Sequence, residues 1–62
     1  MPDPTQEQLN ALRRYAKANG RTWKSRLIES WANGRDEREA DATLLRQVRN
    51  TFGPSWLLRT QV

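Results

Sequence analysis

Six cationic side chains stand close together in the first half of the chain, and the chemistry they offer is anion binding. The stretch from position 13 to position 26 holds all six and contains no acidic residue. They are Arg13, Arg14, Lys17, Arg21, Lys24 and Arg26. Basic groups at this density can neutralise phosphates, which predicts contact with a nucleic acid, either DNA or RNA. A solvated face that only keeps a small protein soluble has the same composition and stays an alternative.

Catalytic chemistry finds little support in the composition. The chain has no histidine and no cysteine, which removes zinc and haem ligands, disulfides, thiol nucleophiles and the usual proton carrier near neutral pH. Tyr15 together with Lys17 or Lys24 could act as a general base in catalysis, but no supporting motif accompanies these residues. We therefore expect a protein that acts by binding and is not an enzyme, with no cofactor, no metal and no small-molecule substrate.

The acidic residues gather later, at Asp36, Glu37, Glu39 and Asp41. Such a group could bind calcium, but a calcium loop counted from Asp36 would need glycine at the position of Asp41 and glutamate at the position of Gln47. Carboxylates also gather where a helix begins, because the free amides and the macrodipole favour negative charge there. The acidic group therefore predicts the start of a helix.

Periodicity predicts a first helix over about residues 6–18. Thr5 and Gln8 have the spacing of a capping box, and Asn19-Gly20 is typical of a helix end. At 100 degrees per residue, Arg13, Arg14 and Lys17 fall on one side of this helix, beside its apolar face.

A second helix is predicted after Thr22, which can cap it, and Asn33-Gly34 ends it. Its apolar stripe recurs every four residues, at Trp23, Leu27 and Trp31. A short turn links it to the first helix, so Arg21, Lys24 and Arg26 could extend the basic surface across that turn.

The third helix has two possible starts. Asp36 with Glu39 has the spacing of a capping box, whereas Asp41 or Thr43 could cap a shorter helix. Its apolar face is formed by Leu44, Leu45, Val48 and Phe52. Gly53-Pro54 predicts its end.

The segment Ser55-Trp56-Leu57-Leu58 is too apolar to stay in water, so we expect it to fold back over the core as one helical turn or as an extended strap. The predicted fold is all-α: a three-helix small domain with a C-terminal apolar strap. Residues 1–4, with two prolines, are expected to form a flexible lead, and residues 5–62 a single domain.

The start Met-Pro-Asp-Pro has neither the basic nor the apolar region of a secretory signal. No apolar run approaches the length of a membrane span. We therefore expect a cytoplasmic protein without membrane contact.

The segment from Tyr15 to Trp23 resembles the middle of a helix-turn-helix unit, with Ala16 at the helix contact and Gly20 four residues later in the turn. The resemblance covers about twenty residues, from Leu12 to Trp31, and it departs from that family at Asn19, Arg21, Arg26 and Glu29, where apolar residues are usual. It implies that the second helix presents Lys24, Ser25 and Arg26 to a groove.

Two strings carry a second resemblance: residues 20–24, GRTWK, and residues 45–57, LRQVRNTFGPSWL. They are similar to short uncharacterised proteins of proteobacterial genomes and mobile elements. This similarity implies a bacterial cytoplasmic context and no particular activity.

Three tryptophans in a chain of 62 residues allow another class of function. Trp23 and Trp31 have ordinary core spacing, whereas Trp56 lies in the apolar tail and could be an interface residue. The alternative to nucleic-acid binding is therefore a protein-interaction module or a homodimer that uses exposed tryptophan and leucine surface.

Overall fold

The computed structural model describes residues 3–34 and 40–62. These ranges contain helices α1 (Gln6–Asn19), α2 (Trp23–Asn33), α3 (Ala42–Thr51) and α4 (Gly53–Arg59), with a 3-10 turn (Gly20–Thr22) between α1 and α2, and no strand. The all-α prediction is confirmed: three helices form the domain, and the apolar strap is the short helix α4. Within the described ranges, no helix is both long and apolar enough to cross a membrane.

The ends of α1 follow from local chemistry. The Thr5 hydroxyl accepts a hydrogen bond from the Gln8 amide, and the Gln8 side chain accepts one from the Thr5 amide, which confirms the predicted capping box. Gly20 ends the helix with a φ of 75 degrees, a conformation that a residue with a Cβ rarely adopts. Local sequence therefore determines where α1 begins and ends.

The predicted cap of α2 is wrong. Thr22 lies in the 3-10 turn with a φ of −95 degrees and a ψ of 16 degrees, and its side chain makes no capping hydrogen bond. An N-cap hydroxyl reaches the first amides of a helix when its own backbone is extended, and this backbone is not. The Thr22 hydroxyl instead accepts a hydrogen bond from Arg26 Nε at 3.2 Å.

Helix α3 corresponds to the shorter of the two predicted versions, since it begins at Ala42, directly after Asp41. The Asp41 side chain does not cap it. Asp36 and Glu39, the residues of the longer alternative, lie outside the described residues. Gly53-Pro54 ends α3 as predicted and opens α4, with the proline in the first turn, where no amide is needed.

The core forms where the apolar faces of all four helices meet. Its buried members are Ala11, Leu12, Leu27, Trp31, Leu45, Val48 and Leu57. Around them pack the half-buried side chains of Tyr15, Trp23, Ile28, Leu44, Phe52, Trp56 and Val62. Leu58 belongs to the apolar segment that was predicted to fold over the core, but its side chain is 60% exposed. It follows Leu57 on a helix, and one residue of rotation turns it about 100 degrees away from the core.

Two contacts hold α4 on the domain besides the burial of Leu57. The rings of Phe52 and Trp56 stack with centroids 4.4 Å apart and planes inclined by 25 degrees. Lys24 Nζ donates a hydrogen bond of 2.6 Å to the carbonyl oxygen of Thr60, at the end of α4. This ammonium also lies 5.8 Å from the centroid of the Trp23 ring. The described contacts therefore give Lys24 a structural role.

Replacing Lys24 by methionine tests that role. The substitution keeps the aliphatic stem and removes the donor, so the carbonyl oxygen of Thr60 loses a charge-assisted hydrogen bond. We expect the free energy of unfolding to fall by about 1 to 2 kcal/mol, measured by urea denaturation. Lys17→Met, at an exposed position, is the matched control and should change it by less than about 0.5 kcal/mol. Equal effects from the two substitutions would exclude a role for the Thr60 contact in stability.

Candidate nucleic-acid interface

The six predicted cations are not equally available to an external anion, and the two on α2 show why. Lys24 and Arg26 are two residues apart, so they project about 200 degrees apart around the helix. Lys24 faces α4, where its ammonium is occupied by Thr60. Arg26 is exposed and bonds to Thr22. The implied presentation of Lys24, Ser25 and Arg26 to a groove stays a prediction, and it would require Lys24 to leave its contact.

Arg14 is committed to an acid. Its Nε and Nη2 atoms donate to the two carboxylate oxygens of Asp41 at 2.8 and 2.9 Å, a bidentate geometry. The side chains are 58% and 23% exposed, respectively. Since the opposite charge of Asp41 is in direct contact, Arg14 adds little net charge to the surface of α1. Its hydrogen bonds join α1 to the start of α3.

The ion pair predicts a pH dependence of stability. The hydrogen bonds from Arg14 are the largest cause that holds the pKa of Asp41 below the ordinary value of 3.8. Desolvation, the next cause, opposes them, and the positive charge of Arg14 lowers the pKa further. A lowered folded pKa stabilises the fold at pH values above the unfolded pKa. This contribution is present at neutral pH and is lost as the pH falls from near 3.8 through the folded pKa.

We expect Asp41→Asn to remove that part of the acid sensitivity. The measurement compares thermal unfolding of the two proteins from pH 7 to pH 2, and the difference between their stabilities should shrink below pH 3.8. A difference that stays constant over this range would exclude the ion pair as its source. Glu29→Gln, which removes an exposed carboxylate from α2, is the control.

The remaining three cations form what we call the basic row: Arg13, Lys17 and Arg21. All three are exposed. Arg13 and Lys17 are one helical turn apart on α1, and Arg21 follows in the 3-10 turn at the end of that helix. None of the three has an acidic partner among the described residues; Arg13 makes only a long hydrogen bond of 3.4 Å, to Asn10 Oδ1. The basic row thus keeps its positive charge available to an external anion.

Two uncharged residues, which the pattern of charge does not indicate, extend this surface. Gln6 Nε2 donates to Asn10 Oδ1 at 3.1 Å, and the same oxygen accepts the bond from Arg13. We call Gln6, Asn10, Arg13 and Lys17 the outer face of α1. Their positions fall within an arc of about 60 degrees, on the side of the helix away from the core. The sequence does indicate this contact, because Gln6 and Asn10 are four residues apart, the spacing at which side chains meet on one face of a helix.

The tryptophans contribute little open surface. Trp31 is 7% exposed, and Trp23 and Trp56 are half-buried against the core. Trp56, the possible interface residue, stacks on Phe52. Leu58 is the single exposed large hydrophobic side chain of the described residues. Isolated exposed leucines are common on protein surfaces.

A small depression lies beside the ion pair, lined by Arg14, Tyr15, Ala18, Asp41 and Leu45. Its volume of about 70 Å³ is far below the roughly 300 Å³ at which ligand pockets begin. Across residues 3–34 and 40–62, no three acidic, histidine or cysteine side chains come together as a metal site would need. Asp36, Glu37 and Glu39 of the calcium hypothesis lie outside the described residues.

Comparison with protein-family models, curated proteins and solved structures finds no match for this chain. The resemblances to a helix-turn-helix unit and to short proteobacterial proteins therefore stay predictions.

Proposed function

We propose that this chain is a small non-enzymatic binding protein that engages nucleic acid through the basic row of Arg13, Lys17 and Arg21. The observation that carries the proposal is the exposure of these three cations without an acidic partner among the described residues. Phosphates are the anions that a row of this kind suits, since a nucleic acid presents them in a regular line along its backbone. A cytoplasmic location, predicted from the sequence, would put nucleic acid within reach.

Of the other three sequence-predicted cations, two support the fold in this proposal. Arg14 joins α1 to α3 through Asp41, and Lys24 holds the end of α4 through Thr60. The third, Arg26, is exposed and bonds to the side chain of Thr22, in the turn that carries Arg21. The positive charge of Lys24 and Arg26, which have no acidic partner among the described residues, still adds to the long-range field that steers a polyanion toward the surface.

The alternative function, a protein-interaction module or homodimer, has less support. Such contacts use buried aromatic anchors and a continuous apolar patch. The described residues offer one exposed leucine, Leu58, beside a tryptophan, Trp56, that is half-buried in its own chain. Light scattering tests this alternative directly, because a homodimer would double the mass measured in solution.

The experiment for the proposed function is a fluorescence-anisotropy titration at low salt with labelled duplex DNA, single-stranded DNA and duplex RNA. The triple variant Arg13→Ala, Lys17→Ala, Arg21→Ala should lose binding to every nucleic acid that the unaltered protein binds. The control Arg46→Ala, Arg49→Ala, Arg59→Ala removes the same charge from α3 and α4 and should retain most of it. Equal losses from both variants would reduce the effect to net charge, and absence of binding by the unaltered protein would refute the proposal.

A further inference from the structure

The outer face of α1 carries two kinds of side chain in sequence along the helix. Gln6 and Asn10 lie in its first half, and Arg13 and Lys17 in its second half. Amide side chains bond bidentately to adenine, and arginine or lysine bonds to guanine or to phosphate. Simple backbone binding needs only the cations. The amides therefore add the chemistry with which proteins distinguish bases.

We propose that α1 enters the major groove of duplex DNA, with Gln6 and Asn10 against base edges and the basic row along the phosphates. This inference rests on the proposed function and makes it more specific. It assigns groove recognition to α1 and not to α2, the helix that the helix-turn-helix resemblance implies.

The dimensions of α1 fit that groove. A helix with its side chains is about 10 to 12 Å across, and the major groove of B-form DNA is about 12 Å wide. The fourteen residues of α1 extend about 21 Å, enough to place both amides in the groove and to carry Arg13 and Lys17 to its edge. Duplex RNA has a deep and narrow major groove that side chains cannot reach, so the expected partner is DNA.

The surroundings of α1 leave its outer face usable. The helix packs against both α2 and α3, and its buried residues, Ala11 and Leu12, lie on the inner side. Glu7 is the one acidic residue of the helix, about 60 degrees to the side of Asn10 at 100 degrees per residue. The charge of the outer face is therefore positive toward its second half, where it is complementary to the phosphates.

The hydrogen bonds within the outer face also favour recognition. Gln6, Asn10 and Arg13 are linked through Asn10 Oδ1, so their side chains are partly ordered before DNA arrives, which lowers the entropic cost of binding. The bonds are exposed, at 3.1 and 3.4 Å, and can be exchanged for bonds to bases at little cost. By contrast, Lys24 of α2 would have to give up its part-buried contact with Thr60.

The test is selection of duplexes from a randomised DNA pool by the unaltered protein, followed by dimethyl sulfate protection of the enriched duplex. This reagent methylates guanine N7, which faces the major groove, and adenine N3, which faces the minor groove. A helix that lies in the major groove also covers the N7 atoms of guanines beside the bases it contacts, so we expect protection of guanine N7 within the enriched site. We also expect weaker binding to duplex RNA of the same sequence. Protection of adenine N3 alone would overturn the major-groove assignment.

Asn10→Ala tests the residue assignment. It should reduce the preference for the enriched duplex over a scrambled one by roughly 5- to 150-fold, while leaving the salt dependence of binding unchanged, because no phosphate contact is lost. The control is Asn50→Ala, which removes an exposed amide from α3 and should leave the preference intact. Salt-dependent binding with no enriched sequence would refute this inference and leave the proposed function standing. Absence of all binding would refute both.

Discussion

Replacing Leu57 by alanine is expected to lower the free energy of unfolding by about 2 to 5 kcal/mol. The Leu57 side chain is fully buried and joins the core from α4, so truncation removes apolar burial and leaves a cavity. A domain of this size has a total stability of only about 3 to 9 kcal/mol at the usual value per residue. The substitution should therefore leave a large unfolded population, measurable by urea denaturation followed by circular dichroism.

Leu58→Ala is the matched control, since it makes the same chemical change at the next residue of the same helix. Its side chain is 60% exposed, and we expect a change of less than about 0.5 kcal/mol. If the two substitutions cost the same, α4 does not pack through the face described for it. If Leu58→Ala costs more, the face is reversed.

The second large effect is the salt dependence of nucleic-acid binding. Six phosphate contacts, as the sequence predicts, would give a slope near −5 for log affinity against log salt with duplex DNA. The three residues of the basic row give a slope of about −2.7, or a loss of affinity of about 40-fold between 50 and 200 mM salt. Anisotropy titrations at four or more salt concentrations distinguish these values. A slope near zero would exclude phosphate contacts altogether.

Substitutions at Arg13 and at the two residues of the ion pair, Arg14 and Asp41, test which cations contribute to this slope. Arg13→Ala should reduce the magnitude of the slope by about 0.9, because one phosphate contact is lost. Arg14→Ala should leave the slope nearly unchanged, since its guanidinium is bound to Asp41. Asp41→Asn should increase the magnitude by up to about 0.9 by freeing Arg14 for a phosphate. Equal effects of Arg13→Ala and Arg14→Ala would indicate that the ion pair opens when DNA binds.

The fold was largely predictable because its main features depend on neighbouring residues. The capping box of Thr5 and Gln8 and the glycine at position 20 set the two ends of α1 through local hydrogen bonds and backbone freedom. Thr22 was misjudged because a 3-10 turn replaces the extended backbone that a cap requires. Whether the apolar tail would be helical or extended depends on how Trp56 and Leu57 meet the core, and periodicity does not describe that contact.

The candidate interface was less predictable, because the contacts that divide the six cations are distant in sequence. Arg14 meets Asp41 across 27 residues, and Lys24 meets Thr60 across 36. Composition and helical periodicity carry no information about such pairs, so the sequence does not show which of the six cations bind to groups of their own chain. The role proposed for Gln6 and Asn10 was not predicted for another reason. An amide carries no charge, and its relevance depends on its hydrogen bond to a neighbouring cation, here Arg13.

Because α4 is short, we expect it to unfold locally before the rest of the domain. Isolated helices of fewer than about 12 residues are marginal in water, and α4 has seven. It is therefore helical only while it is docked, and undocking and melting are one event. That event withdraws Leu57 from the core and removes the acceptor of Lys24, but it leaves Arg14 and Asp41 joined. Amide hydrogen exchange in α4 should consequently proceed by local opening, at a lower free energy than exchange in the middle of α1.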